Sequence, residues 1–214
     1  MKINWLGHAA FLITSDSGTR IITDPYKPGA ELTYGDIDAA ADIVTISHDQ
    51  HGDHNNVSAV RGNPEVIGRT AAAKGIEFKG ILTYHDDTQG TQRGNNTIFC
   101  FEVDGVKLCH IGDLGHPLSD AQAVELGEID VLLLPVGGRF TIDVSVASQL
   151  CARLQPGVVI PMHYRNDKCG FLATGVDDFL QGKDNITRLN ASEVEFGAGE
   201  LPAATRIMVL KPAR

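Results

Sequence analysis

The polar segment between residues 47 and 55 reads SHDQHGDHN, and it follows directly on the apolar run IVTI at residues 43–46. Three histidines and two aspartates fall within the seven residues 48–54. Imidazole nitrogens and carboxylate oxygens are common ligands for zinc, manganese and iron. A solvated polar loop is the alternative, but the strand-like run before it and the density of histidine favour a metal site.

The same pattern, a histidine at the end of an apolar run, recurs along the chain. Five of the eight histidines close such runs: His8, His48, His85, His110 and His163. Imidazole is a poor filler for a hydrophobic core, and strand ends on a rigid scaffold are where functional sites are assembled. One such histidine would indicate a structural residue, whereas five in the same position predict a functional cluster.

The remaining pattern predicts strands and hairpins in the first half and interspersed helices in the second. Asp104-Gly105 is a strong hairpin turn, and Ser119 and Asp143 are natural helix N-caps. The main predicted elements are strands 3–6, 11–14, 20–23, 43–47, 81–84, 98–103, 106–110, 131–135 and 158–162, and helices 120–126 and 144–154. We expect two sheets packed face to face with helices outside.

Composition narrows the range of functions. The 214 residues carry a formal net charge of −9 without a block of lysine and arginine, which argues against a nucleic-acid-binding surface. No apolar stretch approaches a membrane span, and the N-terminal residues lack a signal-peptide pattern. The four cysteines show no CxxC spacing, so we expect reduced thiols in a cytoplasmic protein. Without a repeat or linker, residues 1–214 are predicted to form one domain.

The segment 47–55 resembles the His-x-His-x-Asp-His signature of the metallo-β-lactamase superfamily. Other segments match that superfamily in order along the chain: Trp5–Ala9, Thr23–Pro25, His85, His110–Asp113, Leu134–Gly138 and Pro161–Tyr164. Within the superfamily, the chain is most similar to small stand-alone hydrolases related to ascorbate-6-phosphate lactonase and to the phospholipase D that cleaves N-acylethanolamine phospholipids.

The resemblance implies an α/β fold, the four-layer αββα sandwich, and a metal-dependent hydrolase of a small ester, lactone or phosphoester. The implied ligands of two divalent metal ions are His48, His51 and His85 for one ion, Asp53, His54 and His163 for the other, and Asp113 bridging both. Zinc is the expected metal, with manganese or iron as alternatives, because the ligands offer nitrogen and oxygen without thiolate. Two such ions activate a shared water, so Asp53 and Asp113 would also serve catalysis.

Five further residues are candidates for contacts with the ligands or the substrate: His8, Asp24, His110, His116 and Arg139. Asp24 would orient a ligand imidazole or, as an equal alternative, form a turn. His110 is the preferred proton donor to the leaving group, while His8 and His116 would contact ligands or substrate. A structural hydrogen bond is an equal alternative for His8. Arg139 would bind an anionic group or lie in a solvated turn.

The first two histidines of the signature depart from the family pattern. The superfamily separates them by one residue, whereas Asp49 and Gln50 lie between His48 and His51. Either Asp49 replaces the first ligand, or a one-residue bulge brings His48 to the metal. We favour the bulge because the run 43–47 leads directly into His48, and bulges beside active sites commonly redirect a side chain. Asp49 would then point away from the metals or contact one of their ligands.

Three rival functions are an iron redox enzyme on the same fold, a nuclease and a non-catalytic metal-binding protein. Family members that reduce oxygen carry a glutamate in the signature, which residues 47–55 lack. A nuclease would need a basic face, and a non-catalytic relative would be expected to lose ligands. The expected partner is a small-molecule substrate, with no nucleic acid and no membrane, and the sequence neither indicates nor excludes a homo-oligomer.

Overall fold

The computed structural model describes residues 1–50 and 54–214, which form two β-sheets and three α-helices. The strands are β1 (Lys2–Gly7), β2 (Ala10–Thr14), β3 (Arg20–Thr23), β4 (Ile43–Thr45), β5 (Glu65–Ile67), β6 (Ala71–Ala73), β7 (Ile76–Tyr84), β8 (Asn95–Val103), β9 (Val106–His110), β10 (Val131–Pro135), β11 (Val158–Met162), β12 (Ile186–Arg188), β13 (Glu193–Glu195) and β14 (Arg206–Val209). The helices are α1 (Asp120–Leu126), α2 (Val144–Leu154) and α3 (Val176–Leu180). None of the helices in this described part of the chain is long and apolar enough to cross a membrane.

The two sheets pack around a shared hydrophobic core. One sheet has six strands in the order β13-β1-β2-β3-β4-β5, and the other has eight in the order β12-β14-β11-β10-β9-β8-β7-β6. Side chains alternate between the two faces of a strand. Phe11 and Ile13 of β2 therefore enter the main core, whereas Ala10 joins a second cluster on the opposite face. The predicted α/β fold with two packed sheets is confirmed.

Each sheet has its own outer covering. On the six-stranded sheet, Tyr34 and other residues of the extended segment 26–41 pack with Val44 in the second hydrophobic cluster. On the eight-stranded sheet, α2 contacts α3 and buries Leu150 in the main core. Strands β10 and β11 are buried along their whole length, as their continuous apolar sequences predict.

The direction of the strands gathers their C-terminal ends at one edge. β3 and β4 pair in parallel, as do β9, β10 and β11. β1 runs with β3 because both are antiparallel to β2, and β7 runs with β9 because both are antiparallel to β8. The residues that directly follow the aligned strand ends include His8, Asp24, His85 and His163. The fold therefore brings side chains from distant parts of the sequence to one edge.

Candidate metal centre

Three imidazoles converge on one carboxylate oxygen at this edge. Oδ2 of Asp113 lies 3.4 Å from Nε2 of His54 and 3.4 Å from Nε2 of His85. It also lies 3.2 Å from Nε2 of His163, the residue after β11. All four side chains are buried. The structure thus brings together the predicted bridging carboxylate and three of the predicted ligand imidazoles.

Several donor atoms of this cluster have no hydrogen bond from the described residues. Oδ1 of Asp113, Nδ1 of His163 and both ring nitrogens of His8 are buried in this state. A buried polar atom without a partner is costly, and coordination to a cation would remove that cost. Since the donors are imidazole nitrogen and carboxylate oxygen, they fit zinc, manganese or iron.

The ligand atoms form three overlapping groups, each within 4.8 Å: His8, His54 and His163; Asp24, His48 and His54; and His48, His85 and Asp113. The groups share His48 and His54, so they lie next to one another, as the ligands of two neighbouring metal ions would. The predicted ligands His51 and Asp53 lie outside the described residues.

The structure places His48 and Asp49 differently. His48 is only 5% exposed, and its ring centroid lies 4.8 Å from that of His85. Its Nδ1 is 3.0 Å from Oγ of Ser47. Asp49 is exposed. This placement favours His48 over Asp49 as the first ligand of the signature.

Asp24 contacts Ser47 and His54 on the side of the His54 ring that faces away from Asp113. Its Oδ1 accepts a hydrogen bond from the backbone N–H of Ser47 at 2.7 Å, and its Oδ2 accepts one from Ser47 Oγ at 2.5 Å. Oδ2 also lies 3.2 Å from Nδ1 of His54, whose Nε2 faces Asp113. A carboxylate at this position fixes the orientation of an imidazole and makes its other nitrogen a better ligand.

His8 lies inside the cluster. Its ring centroid is 4.1 Å from that of His163 and 4.8 Å from that of His54. The His8 carbonyl accepts hydrogen bonds from Nε1 of Trp5 at 3.0 Å and from the backbone N–H of His163 at 3.2 Å. These bonds hold His8 at a φ of 51°, and His163 has the same value. Side-chain-bearing residues rarely adopt this conformation, and such strain is concentrated at functional sites.

The pKa values of the clustered side chains favour the charge states that bind cations. Burial would raise the pKa of Asp113, but the imidazoles of His163 and His54 outweigh it and hold the pKa well below its usual range. Burial lowers the pKa of His48 to about 4 and lowers the pKa of His85 as well. At neutral pH the carboxylate is therefore ionised and these imidazoles are neutral, which are the forms that bind metal ions.

An open cavity of about 590 Å³ leads to the cluster. His85, Asp113 and His163 lie in its wall, together with the aromatic rings of Phe140 and Phe171. Pockets of this volume suit small molecules.

Comparison with known proteins agrees with this geometry. A family model described as a beta-lactamase superfamily domain matches residues 2–163. The chain belongs to the β-lactamase superfamily. This confirms the resemblance seen at residues 47–55.

Relatives of this superfamily cover most of the chain. A UPF0173 metal-dependent hydrolase from Carboxydothermus hydrogenoformans is 31% identical, and the match covers 77% of this chain and 84% of that protein. A crystal structure from Thermotoga maritima, assigned to the Zn-dependent hydrolases of the metallo-beta-lactamase superfamily, is 40% identical with a TM-score of 0.79 over 98% of this chain and 97% of that one. CmlA, a diiron beta-hydroxylase from Streptomyces venezuelae, is 16% identical with a TM-score of 0.53 over 76% of this chain and 44% of its own, and shares the fold.

Within this β-lactamase superfamily site, His110 lies behind the cluster rather than at the cavity. It is fully buried, and its Nε2 lies 2.9 Å from the Ala9 carbonyl. Its Nδ1 accepts a hydrogen bond from the backbone N–H of Gly112 at 3.3 Å and lies 3.9 Å from Oδ2 of Asp24. These contacts favour a positioning role over the predicted proton transfer to a leaving group.

Two other candidates occupy less central positions. Nδ1 of His116 lies 2.8 Å from the Pro117 carbonyl, and Nε2 accepts a hydrogen bond from the backbone N–H of Tyr84 at 3.2 Å. The structure therefore places His116 beside the strand that precedes His85, outside the cluster. Arg139 is exposed and lies in the cavity wall, as its predicted contact with an anionic group requires.

Asn96 is a site residue that the sequence pattern did not identify. It is buried, and its Oδ1 accepts a hydrogen bond from the backbone N–H of Asp113 at 2.9 Å. Its Nδ2 donates to Oγ1 of Thr83 at 2.8 Å and to the Ile111 carbonyl at 3.0 Å. Asn96 thus fixes the backbone position of Asp113. An asparagine at the start of an otherwise apolar strand is the only sequence signal for this role.

Proposed function

We propose that the chain is a metal-dependent hydrolase that cleaves a small ester, lactone or phosphoester at a two-metal centre. The observation that carries this proposal is the convergence of three imidazole Nε2 atoms, at 3.2–3.4 Å, on one buried oxygen of Asp113. The second oxygen, Oδ1, has no hydrogen bond from the described residues, so Asp113 offers two separate donor atoms for bridging. The relatives named as metal-dependent hydrolases support the same reaction type.

The proposed ligand sets follow the signature. One ion would be held by His48, His51 and His85, the other by Asp53, His54 and His163, with Asp113 shared. The roles of His51 and Asp53 rest on the signature alone. Zinc is the proposed metal, with manganese or iron as alternatives. When bound, two such ions lower the pKa of a shared water and polarise the scissile carbonyl or phosphoryl group.

The protein's own residues prepare the site for this chemistry. Asp24, which Ser47 holds by a hydrogen bond, contacts the His54 ring on the side away from Asp113, and Asn96 fixes the Asp113 backbone. Such preorganisation reduces the reorganisation that the site must undergo when charge develops on the reacting group. His8 places a further imidazole, with its pKa lowered well below 6.5 by burial, beside the ring of His163.

The main alternatives are a non-catalytic metal-binding protein and an iron redox enzyme. CmlA shares the fold at 16% identity, so the likeness extends to the fold and not to its chemistry. The signature segment 47–55 contains no glutamate, and this favours hydrolysis over oxygen chemistry.

Metal loading combined with a substrate panel tests the proposal. The purified protein is stripped with chelator, reloaded with Zn²⁺, Mn²⁺ or Fe²⁺, and assayed on p-nitrophenyl esters, aryl lactones and bis(p-nitrophenyl) phosphate. We expect turnover in at least one class, lost on chelation and restored by metal. A protein that binds two metal ions yet turns over none of these compounds would be a binding protein, and the proposal would be wrong.

A further inference from the structure

Positive charge surrounds the mouth of the cavity. Lys27, Arg93 and Arg139 line it, whereas Glu31 is the one acidic wall residue apart from Asp113 in the described part of the chain. The whole chain carries a net charge of −9, so this concentration of cations is opposite to its overall charge. Clefts lined by one sign of charge attract ligands of the other sign.

Arg93 is held in place by a buried carboxylate. Asp86 accepts hydrogen bonds from the backbone N–H of Arg93 at 2.7 Å, of Thr88 at 2.8 Å and of Gly90 at 2.8 Å. One side chain thereby organises the loop between β7 and β8. The backbone of Arg93 is thereby fixed, while its guanidinium lies over the ring of Phe140.

The Arg93 guanidinium lies over the ring of Phe140 in the cavity wall. Its Cζ is 3.9 Å from the ring centroid of Phe140, a cation–π distance. Among the described residues, no carboxylate lies within ion-pair distance of it. A half-buried guanidinium that lies over an aromatic ring, with no described carboxylate at ion-pair distance, is preorganised for an oxyanion, which it can bind through two parallel hydrogen bonds.

A second guanidinium, that of Arg139, lies near the same ring. Its Cζ lies 5.0 Å from the Phe140 centroid, and its Nη1 donates to the Phe171 carbonyl at 2.6 Å. Arg93 and Arg139 line the same cavity as His85, Asp113 and His163 of the cluster. The cationic pair and the cluster therefore belong to one cavity.

We infer that the substrate carries an anionic group apart from the scissile bond, a carboxylate or a phosphate, which Arg93 binds with the support of Arg139 while the scissile bond lies at the cluster. This inference names the substrate class of the proposed hydrolase and rests on that proposed function. In hydrolysis of such an ester, water adds to the acyl carbon, the ester C–O bond breaks, and the alcohol and the acid are released.

Two esters of equal chain length separate this role from general catalysis. The mono-p-nitrophenyl ester of adipic acid ends in a carboxylate, whereas p-nitrophenyl hexanoate ends in a methyl group. Each is assayed with the wild-type protein, Arg93→Gln, Arg93→Lys and the control Arg206→Gln, which removes an exposed arginine at the start of β14. Metal content and melting temperature are measured for every variant.

The expected result is a selective loss. The wild type should favour the adipate ester in kcat/KM, and Arg93→Gln should lower kcat/KM for that ester by ~10–100-fold, the worth of one charged hydrogen-bonded pair. The hexanoate ester should change less than threefold, Arg93→Lys should retain part of the preference, and Arg206→Gln should match wild type. An equal loss on both esters would overturn the inference, because Arg93 would then be a structural residue.

Binding without turnover separates this inference from the proposed function. Calorimetry with the metal-loaded protein compares hexanoate, adipate and 6-phosphonohexanoate as ligands. We expect adipate or the phosphonate to bind at least tenfold more tightly than hexanoate, with the preference lost in Arg93→Gln, and the tighter of the two identifies the anion. If this selectivity holds although no ester is hydrolysed, the proposed function fails and the anion site stands. Equal binding of the three ligands would overturn the anion site itself.

Discussion

Asp113 connects the candidate ligands of both proposed metal ions. Its buried carboxylate is ionised because the imidazoles around it lower its pKa, and its backbone N–H is held by Oδ1 of Asn96. The strands that flank it are stabilised by apolar burial, which does not require the carboxylate.

We therefore expect Asp113→Ala to abolish hydrolysis and to reduce bound metal while the fold is retained. Elemental analysis, circular dichroism and turnover of the best substrate from the panel measure the three effects. Near-normal turnover would remove Asp113 from the mechanism. For comparison, His110→Ala should lose less activity, because His110 lies behind the cluster and both its nitrogens contact the protein.

The neighbouring residues His48 and Asp49 provide a matched pair of variants. His48 is buried in the cluster and Asp49 is exposed, so His48→Ala should lose metal affinity by ~10-fold or more, whereas Asp49→Ala should bind metal as the wild type does. Competition with a chromophoric chelator measures both affinities. The reverse order would mean that Asp49 is the ligand and that the bulge interpretation is wrong.

At the scale of elements, the turn from β9 to Asp113 needs glycine at position 112. Gly112 has a φ of 60°, and a Cβ there would lie 2.4 Å from Oδ1 of Asn96 and 2.6 Å from Cβ of Ser47. An alanine would therefore displace both residues that support the cluster.

Gly112→Ala should cost about 2–5 kcal/mol of unfolding free energy, the sum of backbone strain and overpacking, and should also lower metal affinity. Gly182→Ala is the matched control, since Gly182 has a φ of 72° and no atom within 4 Å of the added Cβ. It should cost only the strain, about 1–2 kcal/mol. Chemical denaturation measures both. Equal losses would show that the contacts around Gly112 are unimportant.

Elements with strong local signals were predictable from the sequence. The bounds predicted for β3, β9, β10, β11, α1 and α2 coincide with the structure, and Ser119 and Asp143 cap the two helices as expected. The short strands β5, β6 and β12–β14 and the five-residue helix α3 were not predicted. Three or four residues carry too little periodicity, and these elements form because a neighbouring strand or helix offers a partner.

The same reasoning explains which site residues were predictable. A histidine at the end of an apolar run is visible in the sequence, because strand polarity alone brings such ends together. Arg93 was not predictable, since its position depends on the loop that Asp86 organises and on the ring of Phe140, which is distant in sequence. Asn96 likewise acquires its role only when β7 and β9 flank β8.

For the whole molecule, the two proposed ligand sets predict two divalent metal ions per chain. Because only the folded chain binds them, the metal ions should also raise the free energy of unfolding. A ligand at 100 times its Kd adds about 2.7 kcal/mol. Elemental analysis should give a ratio near two, and chelator should lower the melting temperature. Saturation at one ion in excess zinc or manganese would contradict the two-metal centre.

Removing the metal should also make stability depend on pH. Burial lowers the pKa of His8, His48, His85 and His110 below the ordinary value of 6.5. As pH falls through 6.5, the unfolded chain binds protons that the folded chain excludes, so the free energy of unfolding decreases. The decrease starts at the unfolded value and continues toward the folded value, about 4 for His48.

Above pH 7 these imidazoles are neutral in both the folded and the unfolded chain, so their contribution to the free energy of unfolding does not change with pH. We expect chelator-treated protein to lose stability between pH 7.5 and pH 5.5, by up to about 1.4 kcal/mol per pH unit for each fully titrating imidazole. Urea denaturation at constant ionic strength measures the loss. The His110→Asn variant, which removes one buried imidazole outside the proposed ligand sets, should have a shallower slope than the wild type. Equal stability of the wild type at the two pH values would mean that the buried imidazoles accept protons in the folded state, and that the cluster carries positive charge without metal.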